Sequence, residues 1–138
     1  MSVLRPLTLS DAPACADFIG RLDGADIRYR FGARKLRPED LLGRCCWGAF
    51  DAARSLVGIV SLDPVSERLA EFGLIVRSDQ KRRGIGRALI AHLRRWAAGS
   101  TLIGYVMSEN RAMLALARAS GFTLARWDDS LVEIRRAS

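Results

Sequence analysis

Residues 70–89 read AEFGLIVRSDQKRRGIGRAL. The apolar run up to Val76 predicts a buried strand, and the spacing that begins near Gly84 predicts a helix, so a short basic loop joins the two. The first N–H groups of a helix have no partner within it and sit at the positive end of its dipole, which makes the loop from Gln80 to Gly86 an expected anion site. Gly84 and Gly86 let an anion approach the backbone closely, and Lys81, Arg82, Arg83 and Arg87 add charge around it. One carboxylate, Glu71, opens the strand. The alternative is a basic, glycine-containing turn that binds nothing. Two other phosphate motifs are excluded: the chain holds no G-x-x-x-x-G-K-[ST], and its single G-x-G lacks the third glycine of a dinucleotide fingerprint.

Downstream, Leu89, Ile90, Leu93, Trp96 and Ala97 fall on one face of a helix running from Gly84 to about Ala98, with Arg87, Arg94 and Arg95 elsewhere. Gly99 and Ser100 stop it. Residues 101–107 read as a strand, Asn110 starts a helix that ends at Gly121, and 122–127 with 131–135 form a closing hairpin. Upstream, 45–50, 56–62 and 68–76 make an antiparallel meander. The chain opens with a strand over 3–9, then a helix over 12–20 that Ser10 or Asp11 can cap. Between these lie an arginine-rich segment, 22–37, read as short helix and loop, and a short helix opened by Pro38.

Composition narrows the function classes. At 138 residues the chain is expected to be one domain, 1–138, with a core that needs neither disulfides nor metal. No apolar run has transmembrane length and the N-terminus lacks a signal-peptide core, so a cytoplasmic protein is expected. Cys15, Cys45 and Cys46 form no C-x-x-C pair and read as small hydrophobes beside the core. His92, the only histidine, leaves a Cys/His metal site poorly supplied and reads as a surface residue. The net charge of +7 asks for an anionic partner, which nucleic acid, an acidic protein surface or a phosphate-bearing cofactor would each satisfy.

The stretch VRSDQKRRGIGRAL, residues 76–89, resembles the acetyl-CoA-binding motif of the GNAT acetyltransferase superfamily, Gln/Arg-x-x-Gly-x-Gly/Ala after a strand. Residues 110–122, NRAMLALARASGF, are similar to that superfamily's following helix, which ends in Gly-Phe, and Arg5-Pro6 with Asp11 resembles its usual start. The resemblance spans essentially the whole chain. It implies an α/β fold with a mixed, mostly antiparallel sheet of about seven strands, flanked by about four helices and splayed between strands 4 and 5, with acetyl-CoA entering the split. The backbone of Leu74, Ile75 and Val76 would pair with the pantetheine arm. Lys81, Arg82, Arg83, Gly84, Ile85, Gly86 and Arg87 would hold the pyrophosphate, and Asn110 would reach the arm or a nearby backbone group. No metal is implied.

Two departures stand out. Lys81 replaces the motif's Gln/Arg, and Ala117 stands where many members carry the tyrosine that protonates the departing thiolate, so Tyr105, Ser108 or water would have to substitute. The pieces Asp26–Phe31, Ala70-Glu71-Phe72 and Asn110-x-x-Met113-x-x-Leu116-Ala117 resemble the bacterial lysine acetyltransferases that modify acyl-CoA synthetases. In those enzymes the strand glutamate is the general base, which makes Glu71 the expected catalytic residue. The competing role for Glu71 is a structural ion pair with Arg68 or Arg135. The acceptor is expected to be a primary amine, first a protein lysine on such a synthetase. A small amine, an N-terminal amine, or an acyl-CoA-sensing domain without catalysis are the alternatives, and nucleic acid ranks below them because it rests on charge alone.

Overall fold

The computed structural model describes residues 3–22, 45–80 and 84–137. Its elements are β1 (Val3–Pro6), α1 (Ala12–Gly20), β2 (Cys45–Phe50), β3 (Leu56–Ser66), β4 (Leu69–Val76), α2 (Ile85–Trp96), β5 (Thr101–Met107), α3 (Arg111–Ala119), β6 (Thr123–Arg126) and β7 (Leu131–Arg136). The arginine-rich segment, the helix opened by Pro38, and the loop residues Lys81, Arg82 and Arg83 lie outside the described residues.

The strands form one seven-stranded sheet in the order β1-β2-β3-β4-β5-β7-β6. Every pair is antiparallel except β4 with β5, which run parallel and match at only three positions, Leu69 with Thr101, Ala70 with Leu102 and Glu71 with Ile103. Beyond Glu71 and Ile103 the two strands part. The splayed sheet implied by the resemblance is therefore present, and its vertex can be placed to the residue.

Alternation along each strand divides the core between the two faces. Ala70 and Phe72 of β4, Leu102 and Val106 of β5, and Ile134 of β7 meet Leu89, Ile90 and Leu93 of α2 and Leu114 and Ala117 of α3 in one cluster. Ile75 of β4 and Ile59 of β3 join Cys15 and Phe18 of α1 in another, on the opposite face. Gly58 of β3 exists for the first packing: a Cβ there would lie 3.0 Å from both Ile85 Cγ2 and Leu89 Cδ1.

Five expectations need correction. β1 stops at Pro6, because Leu9–Asp11 coil into a 3-10 turn ahead of α1. Asp11 precedes α1 yet does not cap it. Its carboxylate turns back to take a bidentate pair from Arg5, at 2.8 and 3.0 Å, and the N–H of Thr8 at 2.8 Å. β3 runs on to Ser66 because β4 continues to pair with it through Pro64 and Ala70. On α2 the buried face ends at Leu93: Trp96 is 45% exposed and packs edge-on against Trp47 of β2 with ring centres 4.0 Å apart. His92 is not a surface residue, since it is half-buried against the same Trp47. Cys15 and Cys46 are buried and outside any disulfide, as their reading as small hydrophobes requires; burial pushes the Cys15 thiol up to about 11.

Candidate active site

Where β4 and β5 part they leave a cleft of about 640 Å³. Its walls are β4 from Glu71 to Val76, β5 from Gly104 to Val106, the start of α2 and one side of α3. Of the residues singled out in the sequence, Glu71, Leu74, Ile75, Val76, Gly84, Ile85, Gly86, Arg87 and Asn110 all line it.

The free backbone of β4 follows from two hydrogen bonds at its ends. Arg77 N–H donates to Val57 O of β3 at 2.9 Å, and the carbonyl of Arg68 accepts from Thr101 N–H beside β5 at 2.8 Å. Backbone polar groups point to opposite edges at alternate residues. Odd-numbered positions, Ile75 among them, are therefore turned to β3, and beyond the last β4–β5 pair Leu74 and Val76 present their N–H and C=O to the cleft. Of the three residues expected to offer backbone groups there, Leu74 and Val76 do so, while Ile75 faces Ile59 across the β3 ladder.

Gly84 and Gly86 serve different ends. Gly84 precedes α2 with φ of 78°, the left-handed region, and open space surrounds the place of its missing side chain. Gly86 allows α2 to approach α3, since a Cβ there would stand 2.8 Å from Leu116 Cδ2. The first bond of the helix runs from Ala88 N–H to Gly84 O, and no side chain caps it. The N–H groups of Ile85, Gly86 and Arg87 thus stand free of the helix ladder at the mouth of the cleft. At the facing end of α3, Asn110 accepts from Met113 N–H through its side-chain oxygen at 3.3 Å.

Glu71 stands at the vertex, exposed, on the α1 face of the sheet, where the odd-numbered residues of β4 point. The competing ion pair is not formed. Arg135 donates through Nε to Glu133 at 3.0 Å, and no partner for Glu71 is found among the described residues. Tyr105 shares that face and leans edge-on against Trp127, with ring centres 5.5 Å apart. Ala117 is fully buried in the α3 packing and does not line the cleft. Sequence reasoning missed Arg77, a buried cation directly after β4. The signal available was a charged pair two residues apart, Arg77 and Asp79, between an apolar run and the glycine loop.

A profile of the Acetyltransferase (GNAT) family matches residues 16–122. The chain belongs to the GNAT family. Solved structures repeat its fold. The GNAT domain of PAT from S. lividans is 21% identical with a TM-score of 0.89, over 98% of this chain and 89% of that one. The ribosomal-protein-alanine N-acetyltransferase from Brucella melitensis is 22% identical with a TM-score of 0.76, over 99% of each chain. Salmonella typhimurium yncA, solved with its cofactor acetyl-CoA, is 17% identical with a TM-score of 0.71, over 98% of this chain and 91% of that one. The protein is a GNAT acetyltransferase, and its sheet, split between β4 and β5, is the arrangement these relatives share.

Proposed function

We propose that this GNAT acetyltransferase carries the acetyl group of acetyl-CoA to a primary amine, a protein lysine, by direct attack, with Glu71 as general base. The observation that carries the proposal is the place of Glu71: the last paired position of β4 and β5, at the vertex of the cleft, on the face opposite α2. The cofactor and the acceptor then have separate approaches. The cleft-facing backbone of Leu74 and Val76, the open N–H groups of Ile85, Gly86 and Arg87, and Asn110 would hold acetyl-CoA from the α2 and α3 side. Lys81, Arg82 and Arg83 of the same basic loop would add charge beside its pyrophosphate. The amine would arrive from the α1 face, past Glu71 and Tyr105.

The fit to acetyl-CoA is chemical as well as spatial. An amide-bearing arm can add to an open strand edge as another strand does, and a helix start with free N–H groups suits a pyrophosphate. A lysine amine with pKa of about 10.4 lies roughly 3.4 units above neutral pH, so freeing it costs about 4 to 5 kcal/mol. Glu71 would accept that proton, and such bases contribute about 10²- to 10⁴-fold. One backbone N–H of β4 near Ile75, that of Leu74, would take the charge that develops on the thioester oxygen. The split geometry supplies the remainder by holding the two reactants in line.

The acceptor proposed is a lysine of an acyl-CoA synthetase, in line with Ala70-Glu71-Phe72 and with the similarity to the PAT domain. Residues 1–138 are proposed to act as a single cytoplasmic domain. The test is thiol release from acetyl-CoA by wild type and Glu71→Gln over a panel of synthetase, small amines and an N-terminal peptide. The expected result is transfer to the synthetase, and a loss of about 10²-fold or more in kcat for the variant. Unchanged turnover in Glu71→Gln would sink the base assignment. Binding of acetyl-CoA without thiol release on any amine would instead favour an acyl-CoA sensor.

A further inference from the structure

We propose that Arg77 is a positioning residue for cofactor binding: through Asp79 it aims the turn that leads from β4 to the phosphate-facing start of α2. The side chain of Arg77 is 3% exposed, and a cation this deep is found only where it is paired. Its Nε and Nη2 donate to the two oxygens of Asp79 at 2.7 and 3.0 Å, and its Nη1 donates to Leu56 O at 3.3 Å. The backbone is fixed at the same residue. Its N–H reaches Val57 O at 2.9 Å, and its carbonyl accepts from Gln80 N–H, also at 2.9 Å.

Arg77 therefore ties two things together. On one side is the first residue pair of β3, which the sheet holds rigidly. On the other is the 3-10 turn Ser78–Gln80, whose last residue already lines the cleft, four positions before Gly84. An ion pair whose carboxylate is more than half exposed adds little stability of its own, so stability does not account for it. What a guanidinium fork adds is direction, because two parallel bonds to one carboxylate fix its angle. It also disposes of a charge: Asp79 is 56% exposed, and an unpaired carboxylate there would oppose the anion that the loop is proposed to receive.

This inference rests on the acetyl-CoA site proposed above, and the experiment separates the two. Binding of acetyl-CoA and of acetyl-pantetheine, which has the same thioester and arm but lacks the pyrophosphate and nucleotide, is measured by calorimetry on wild type, Arg77→Met, Arg77→Lys and Asp79→Asn. Arg77→Met is expected to weaken acetyl-CoA about tenfold while changing acetyl-pantetheine less than twofold, with Arg77→Lys intermediate because it keeps charge and loses the fork. Asp79→Asn removes the fork together with the opposing carboxylate, so it is expected to weaken acetyl-CoA less than Arg77→Met does, again with acetyl-pantetheine changed less than twofold. Equal weakening of both donors would reduce Arg77 to a structural role, and no weakening of either would overturn the proposal. If wild type binds no acetyl-CoA at all, the site assignment fails first and the role of Arg77 falls with it.

Discussion

Gly86 and Leu116 bring the first turn of α2 against α3 so closely that a Cβ on the glycine would stand 2.8 Å from Leu116 Cδ2. The leucine tip can swing aside, and because Leu116 lines the cleft its displacement disturbs that wall. Gly86→Ala is thus expected to fold with a loss of less than about 1 kcal/mol and to bind acetyl-CoA severalfold more weakly. Gly84→Ala should behave in the opposite sense. It has open space but a φ of 78°, so it costs about 1 to 2 kcal/mol of stability. Urea unfolding together with calorimetry on both variants distinguishes the two glycines.

Asp11 ties the chain start to α1, and its pair with Arg5, helped by the Thr8 N–H, holds its carboxyl down at about 2 against the usual 3.8. A carboxylate depressed in the folded state contributes stability that is present above 3.8 and lost as pH falls toward 2. Asp11→Asn is expected to cost roughly 2 kcal/mol at neutral pH and to remove this acid-dependent component. Thermal melts between pH 2 and 7, a span that covers both values, would show the variant and wild type converging at the acid end. Parallel curves throughout would refute the linkage.

His92 titrates the other way. Its Nε2 is enclosed without a hydrogen-bond partner among the described residues, and burial, then the charge of Arg95, hold its pKa below the usual 6.5. The unfolded chain therefore takes up a proton that the folded one resists, so stability drops as pH falls below 6.5. His92→Phe keeps a ring against Trp47 and should flatten that part of the profile. A slope identical to wild type would show that another group is responsible.

Ala117 stands where the sequence resemblance implies a tyrosine, and installing one should fail. The site has 0% exposure and faces the packing of α3 rather than the cleft. Ala117→Tyr is expected to destabilise by about 1 to 3 kcal/mol or more and to leave kcat no higher than wild type. A variant that turns over faster without loss of stability would mean that α3 can rotate to present this position to the cleft.

The parts legible in the sequence are those decided by neighbours along the chain. The 3.6-residue spacing of Leu89, Ile90 and Leu93 located α2, and Gly84 and Gly86 marked the turn before it. Trp96 obeys the same spacing but ends up at the surface, because past Leu93 the partner beneath α2 is one ring, Trp47, rather than a filled core. The closing hairpin was legible too, since its strands flank a turn that Asp128 secures by accepting from Ser130 and Leu131 N–H. That β7 rather than β6 lies beside β5 is a tertiary fact that no local signal carries. Arg77 escaped for a related reason: a guanidinium after an apolar run suggests solvent, and only the fold brings Leu56 O and Asp79 to it.

The alternating backbone of β4 also sets how fast its protons are lost to water. Leu74 and Val76 direct their amides toward a strand that has already turned away, while Gly73 and Ile75 donate into the β3 ladder. In deuterated buffer the free protein should therefore label at every second residue along this strand. Saturating acetyl-CoA should erase that alternation, with the ligand acting as the missing eighth strand.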